Sequence, residues 1–187
     1  MRSATRSTVF GLSSVALWAT AASAFKLTLG ECTPFQAVFA ASAVSARLLW
    51  AVALARRVRP GLRDLLGALP RGILNPFAYY LILLEAYDRL PAQVAMVINY
   101  LWPVTLILLS AAVFGKRLSG RSIGASVLSF SGVVVLAVGN GAWSGRLDAT
   151  GLALALASTF IWAGYWVLSM KGGGDPVSRL ALNFAWG

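Results

Sequence analysis

The sequence predicts an all-α fold: a polytopic membrane helix bundle made of inverted five-helix repeats, the first complete and the second truncated. Three observations carry that prediction: the composition, the spacing of the apolar runs and the placement of the basic residues. Hydrophobic residues make up 58% of the 187-residue chain, mean hydropathy is +0.74, and 12% of residues are charged. Soluble domains carry roughly 25% charged and roughly 45–50% apolar residues. This chain lacks the polar side chains to cover a soluble surface, so its solvent is lipid.

A spanning helix needs about 20 mainly apolar residues at about 1.5 Å of rise each. Six runs approach that length: 8–25, 34–55, 73–87, 92–114, 123–139 and 151–170. The third is short and is expected to reach back toward Leu66, with Arg71 snorkelling to its interface. A seventh starts near Pro176 and breaks off at Gly187 inside an apolar run, so the chain reads as cut.

The net charge of +10 is unevenly placed. With the N-terminus inside, one side holds Arg2, Arg6, Arg56, Arg57, Arg59, Arg63, Arg71, Lys116, Arg117, Arg121, Lys171 and Arg179, and the other Lys26, Arg89 and Arg146. Basic residues collect on the cytoplasmic side of short loops. The expectation is a multi-pass inner-membrane protein with a cytoplasmic N-terminus. No basic face alternates with exposed aromatics, which argues against nucleic acid as a partner. Arg2, Arg6 and Ala22-Ser23-Ala24 also fit a cleavable secretory signal, but cleavage would leave an odd set of helices with the basic loops still inside.

One cysteine, Cys32, excludes an internal disulfide and a cysteine metal site. There is no histidine, which removes the usual general base and the commonest metal ligand. Neither catalysis nor a metal or cofactor is expected.

Leu17-Trp18-Ala19 recurs as Ile161-Trp162-Ala163, 144 residues later, and Thr33-Pro34 is echoed by Asp175-Pro176 at an offset of 142. Five helices separate the copies, and five is odd, so the second copy enters the membrane upside down. Inverted repeats of this kind build secondary transporters. The expected division is a first five-helix repeat over 1–140 and the start of a second over 141–187.

The fourth run contains VINYLWPVTLIL at 97–108. Polar groups in hydrocarbon are costly and usually face a cavity or another helix. Asn99 and Trp102 share a face, as do Met96 and Tyr100. Pro103 removes a backbone donor and frees the carbonyl of Asn99. Asn75 and Tyr79 share a face in the third run, beside Tyr80. Ser158, Trp162, Tyr165 and Trp166 form a stripe in the sixth, and Trp162 lies too deep for an interfacial belt. Such groups either pack between helices or wall a cavity for a solute with an apolar or aromatic body.

Arg47 is the one base inside a span, suited to a substrate carboxylate or, more simply, to backbone carbonyls near a helix end. Glu85 reads as a solvated or paired surface acid, and no acid sits at the middle of a span. Gly120 and Gly124 read as a helix-packing motif.

The run PAQVAMVINYLWPVTLILLSAAVFGKRLSGRSIGASVLSFSGVVVLAVG resembles the fourth and fifth helices of an EamA-type domain of the drug/metabolite transporter superfamily. Leu17-Trp18-Ala19 is similar to that family's L-W-G signature, with Ala19 in place of Gly. Ala46-Arg47-Leu48 is similar to the family's arginine in its second helix, which implies a structural role for Arg47. Asn99 to Pro103 looks most like the branch that includes the aromatic amino-acid exporters. The resemblance implies about ten helices in two inverted repeats around a central cavity.

Residues and resemblance together predict an exporter of aromatic or neutral amino acids, or of similar small metabolites, working by alternating access. Tyr79, Tyr80, Asn99, Tyr100, Trp102, Trp162 and Trp166 would line the cavity, with Pro103 at the bend. The rival readings are a nucleotide-sugar or phosphate exchanger, which needs several mid-membrane bases, a non-transporting assembly subunit, and a membrane-embedded enzyme.

Overall fold

The computed structural model describes residues 2–57, 60–115, 119–139, 147–170 and 175–187. Arg59, Lys116, Arg117, Arg146 and Lys171, which enter the charge count above, lie outside them. So do the side chains of Arg2 and Arg6. Among the described residues every regular element is helical.

The first run forms α1 (Arg2–Ala19) and α2 (Ala21–Leu29). They part at Thr20, whose hydroxyl donates to the Leu17 carbonyl at 2.8 Å. A threonine bonding back to its own turn competes with the helix ladder. Helix α3 (Pro34–Ala55) begins with a reciprocal cap: the Gln36 N–H donates to the Thr33 hydroxyl and the Thr33 N–H to the Gln36 amide oxygen. Pro34 costs nothing there, because a first-turn N–H has no helical partner.

The third run starts earlier than its apolar stretch. It comprises α4 (Leu62–Gly72), a π-helical segment (Ile73–Ala78) and α5 (Tyr79–Arg89). Inside the π segment Asn75 leaves helical dihedrals, at φ −151° and ψ 118°, and the Asn75–Pro76 peptide is cis. Proline disfavours the helical conformation in the residue before it, which locates the kink at Asn75. Asn75 and Tyr79 were expected on one helical face, and this kink separates them.

The fourth run is also two helices, α6 (Ala92–Asn99) and α7 (Trp102–Phe114). The second ends at Gly115, whose φ of +62° is a left-handed stop that glycine adopts without strain. Helix α8 (Gly120–Gly139) follows, then α9 (Ala149–Met170) and α10 (Pro176–Asn183). Asp148 caps α9 and Asp175 caps α10. Among the described residues four helices are long and apolar enough to cross a membrane: Ser7–Leu29, Pro34–Ala55, Ala92–Phe114 and Ala149–Met170.

Helix α9 sits at the centre, packed chiefly on α5 and α7 and then on α6. Gly151 allows the approach at one end: a Cβ there would lie 2.8 Å from Leu90 Cγ and 3.0 Å from Arg89 Cβ. Leu83, Ala86, Leu90, Val94 and Ala155 fill the interface. Lipid tails are as apolar as these side chains, so close packing and hydrogen bonds, more than the hydrophobic effect, hold the helices together. Gly120 and Gly124 would meet nothing within 4 Å, so among the described residues they serve no close helix approach.

Candidate functional site

The break in the fourth helix organises the site. Pro103 has no N–H to give the Asn99 carbonyl, and the Leu101 N–H closes instead on Ile98 at 3.0 Å. The N–H groups of Val104 and Thr105 both return to the Leu101 carbonyl, at 2.9 and 3.1 Å. Proline is well suited to the first turn of a helix, so a new helix starts at Trp102. Tyr100 and Leu101 occupy the gap.

Two neighbouring helices pin Asn99 at that break. Its Nδ2 donates to Ser158 Oγ of α9 at 3.1 Å, and Tyr79 of α5 donates a long bond to its Oδ1 at 3.4 Å. The Ser158 hydroxyl in turn donates to the Ala155 carbonyl at 2.7 Å. Just beyond, the Thr105 hydroxyl of α7 lies 3.0 Å from the Trp102 carbonyl and 3.2 Å from that of Thr159, and shares its proton between them. The halves of the broken helix are therefore each tied to α9.

A cavity of about 560 Å³ opens beside this network. Tyr79, Asn99, Tyr100, Trp102, Trp162 and Trp166 all line it, so six of the seven residues singled out in the sequence meet there. Met96, expected to share a face with Tyr100, is on the same wall. Burial grades along the wall: Tyr79 is 2% exposed, while Trp166 and Tyr100 are 40% and 44% exposed and stand at the mouth. The rings form a connected series. Tyr79 and Trp162 stack with centroids 4.4 Å apart, and Trp166 meets Trp162 edge-on at 5.8 Å. Small-molecule sites commonly occupy about 300–1,000 Å³ and pair an apolar wall with a few fixed polar groups. Among the described residues no Lys, Arg, Asp or Glu lines this cavity.

Tyr80 is the exception. One residue along α5 it turns away and lines a separate cavity of about 430 Å³, with Pro76, Ser42 and Ser45. Trp18, Ala21 and Phe25 form the wall common to both cavities. The Ser158–Trp166 stripe likewise divides. Trp162 and Trp166 face the larger cavity, Ser158 holds Asn99, and Tyr165 is buried with its hydroxyl accepting from Asn183 Nδ2 at 3.4 Å.

Arg47 lies exposed on α3, outside both cavities, rather than against backbone carbonyls near the helix end. Glu85 is paired, accepting from Arg89 at 2.9 Å.

Several lining residues were not singled out for this role: Ser14, Trp18 and Phe25 from the first run, and Tyr87 from α5. Tyr87 carried a signal, since Tyr79, Leu83 and Tyr87 recur every four residues and all three face the cavity. Trp18 had one as well, as the counterpart of Trp162 in the repeated triplet.

Membrane-length helices around an aromatic cavity define a multi-pass membrane protein. The chain belongs to the EamA-like transporter family, which it matches over residues 5–138. It is therefore a transporter-family protein. It is similar to "Aromatic amino acid exporter YddG" of Ancylobacter novellus, 30% identical over 182 residues, which is 93% of this chain and 61% of that protein. A solved crystal structure shares the fold with a TM-score of 0.68 at 24% identity, covering 97% of this chain and 63% of that one. The chain thus spans about three fifths of the length of each.

Proposed function

We propose that this protein exports aromatic or neutral amino acids, or similar small metabolites, by alternating access. The observation that carries the reading is the larger cavity: rings on most sides, one fixed amide at a helix break, and no ionised side chain among its lining residues. Tyr79, Asn99, Tyr100, Trp102, Trp162 and Trp166 bind the solute, the rings taking its apolar body and Asn99 with the indole N–H groups orienting its polar end. Tyr80 lines the adjoining chamber. Broken helices at mid-membrane are where secondary transporters hold their solutes. The likeness to an aromatic amino acid exporter supports the same substrate class.

Residues 1–140 form the first repeat and 141–187 open the inverted second, and rocking of one against the other moves the site between the two faces. Two features support that division: Trp18 and Trp162, the centres of the repeated triplets, line one cavity, and Thr33 and Asp175 both cap a helix that begins with proline. The charge bias supports a cytoplasmic N-terminus in the inner membrane. Arg47 stands outside both cavities, which disfavours a phosphate or nucleotide-sugar exchanger.

The test is efflux of radiolabelled Phe, Thr and Met from preloaded vesicles containing the full-length protein, with Trp102→Ala alongside. Export that the substitution abolishes supports the reading. Folded protein that moves none of the three sinks the amino-acid assignment.

A further inference from the structure

The smaller cavity, of about 430 Å³, lies between the first run, α3 and α5, and Pro76 of the kink and Phe184 beyond α10 complete its wall. Three side-chain hydroxyls of these helices belong to its lining: Ser42 and Ser45, three residues apart on one face of α3, and Tyr80 of α5. Ser42 is 7% exposed.

A serine inside a helix commonly turns its hydroxyl back onto its own turn. Ser14 does so, donating to the Phe10 carbonyl at 2.9 Å, and Ser158 donates to the Ala155 carbonyl at 2.7 Å. Ser42, Ser45 and Tyr80 differ. Among the described residues none of their hydroxyls makes a hydrogen bond. Polar groups left unpaired in an apolar surrounding are costly, so hydroxyls that share one chamber call for a partner inside it.

The remainder of the wall is apolar and aromatic. Trp18 and Phe25 supply rings to it, and Phe25 stands edge-on to Tyr80 with centroids 6.4 Å apart. Phe25 also meets Tyr87 of the larger cavity edge-on at 5.4 Å, so rings from both chambers hold it between them. Among the described residues no Lys, Arg, Asp or Glu lines the smaller chamber. Its occupant is therefore uncharged and mainly apolar, with a hydrogen-bonding group at one edge. A lipid acyl chain would leave the hydroxyls unsatisfied, and an ionised solute would lack a counter-charge.

We propose that the smaller cavity is a second binding site, taking a neutral aromatic ring with one N–H or O–H at its edge, as in indole or phenol. The ring packs against Trp18 and Phe25, and its edge group hydrogen-bonds the Ser42, Ser45 and Tyr80 hydroxyls. This site is distinct from the proposed amino-acid cavity, and its test does not require transport.

The experiment is photolabelling of the purified full-length protein in detergent with azidoindole, followed by mapping of the labelled peptides. Label should fall on α3 around Ser42 and Ser45, and excess indole should displace it. N-methylindole keeps the rings and lacks the N–H, so it should need about tenfold more for the same displacement. That comparison requires no variant. Ser42→Ala combined with Tyr80→Phe removes two hydroxyls with little change of shape, and should raise the indole needed for half displacement about tenfold. Trp162→Ala, in the larger cavity, should leave the α3 label unchanged. Label confined to the larger cavity, α3 label that indole does not displace, or equal displacement by both indoles would each overturn the proposal. So would unchanged displacement in the double variant, or loss of the α3 label in Trp162→Ala. None of these results bears on amino-acid export, which rests on the larger cavity.

Discussion

The ring of Tyr79 stacks on the indole of Trp162 with centroids 4.4 Å apart and planes inclined by 27°. Tyr79 is on α5 and Trp162 on α9, so the stack joins the most extensive helix pair among the described residues and lines the cavity at the same time. An aromatic pair contributes about 0.5–1.5 kcal/mol beyond its area, and about 1.4 kcal/mol corresponds to a factor of ten. Trp162→Ala should therefore lower the efflux rate of the proposed solute about tenfold. Trp162→Phe, which keeps a ring over Tyr79, should stay within about threefold of wild type. Vesicle efflux at matched protein density measures both. A wild-type rate in the alanine variant would remove Trp162 from the site.

Asn99 makes a separable contribution to stability through Ser158. Interhelical hydrogen bonds in membranes average about 0.6 kcal/mol and reach about 1.7. The 3.1 Å bond to a fully buried serine belongs at the upper end of that range. Ser158→Ala and Asn99→Ala should each destabilise the fold by about 1 kcal/mol or more in mixed-micelle unfolding. In the double variant the costs should fail to add, because both remove the same bond. Additive costs would mean that the amide and hydroxyl do not interact.

The helical runs were legible in sequence because a bilayer imposes length and apolarity on every crossing. The breaks were less so. Pro103 announced a lost backbone bond at Asn99, but not that the regular helix would stop before Tyr100 and Leu101 and restart at Trp102. That outcome depends on the anchors α9 offers, Ser158 and the Thr159 carbonyl, which no local pattern reveals. Tyr79 and Tyr80 looked like one feature. Neighbours on a helix point about 100° apart, and the two rings serve different cavities. Trp18 stood out only as half of a repeat, because which distant residues close the two cavities around it is a long-range fact. Asn183, buried against Tyr165, left no sequence signal at all.

Two glycines of α9 separate packing from propensity. A Cβ on Gly151 would press on Leu90, itself 1% exposed and unable to swing away, whereas one on Gly164 would meet nothing within 4 Å. Overpacking a filled interface costs about 1–3 kcal/mol, while replacing a free helical glycine by alanine gains up to about 1. Gly151→Ala should thus lower stability and Gly164→Ala should leave it unchanged or raise it, read in the same unfolding assay. Equal effects would show that α9 does not press on the Arg89–Leu90 corner.

The same corner sets an acid sensitivity. Asp148 accepts from the Gly151 N–H at 3.3 Å and the Thr150 N–H at 2.7 Å, and stands 3.5 Å from Arg89. The Gly151 and Thr150 amides hold its carboxyl below the usual carboxylate range; desolvation opposes them, and the Arg89 guanidinium adds to the lowering. Arg89, raised further by its bond to Glu85, stays charged throughout. A group whose folded pKa is depressed stabilises the fold fully above its unfolded value, about 3.9, and loses that contribution as pH falls through the folded value. Stability should therefore be flat from about pH 7 to pH 5 and decline below about pH 4. Asp148→Asn is the informative variant, because asparagine caps a helix as well as aspartate and only the charge is removed. Thermal melts from pH 7 to pH 3 should show a shallower acid decline in Asp148→Asn than in wild type. The effect should be small, since the pair is solvent-exposed, and weaker at high salt. An identical acid decline in both proteins would place the sensitivity elsewhere.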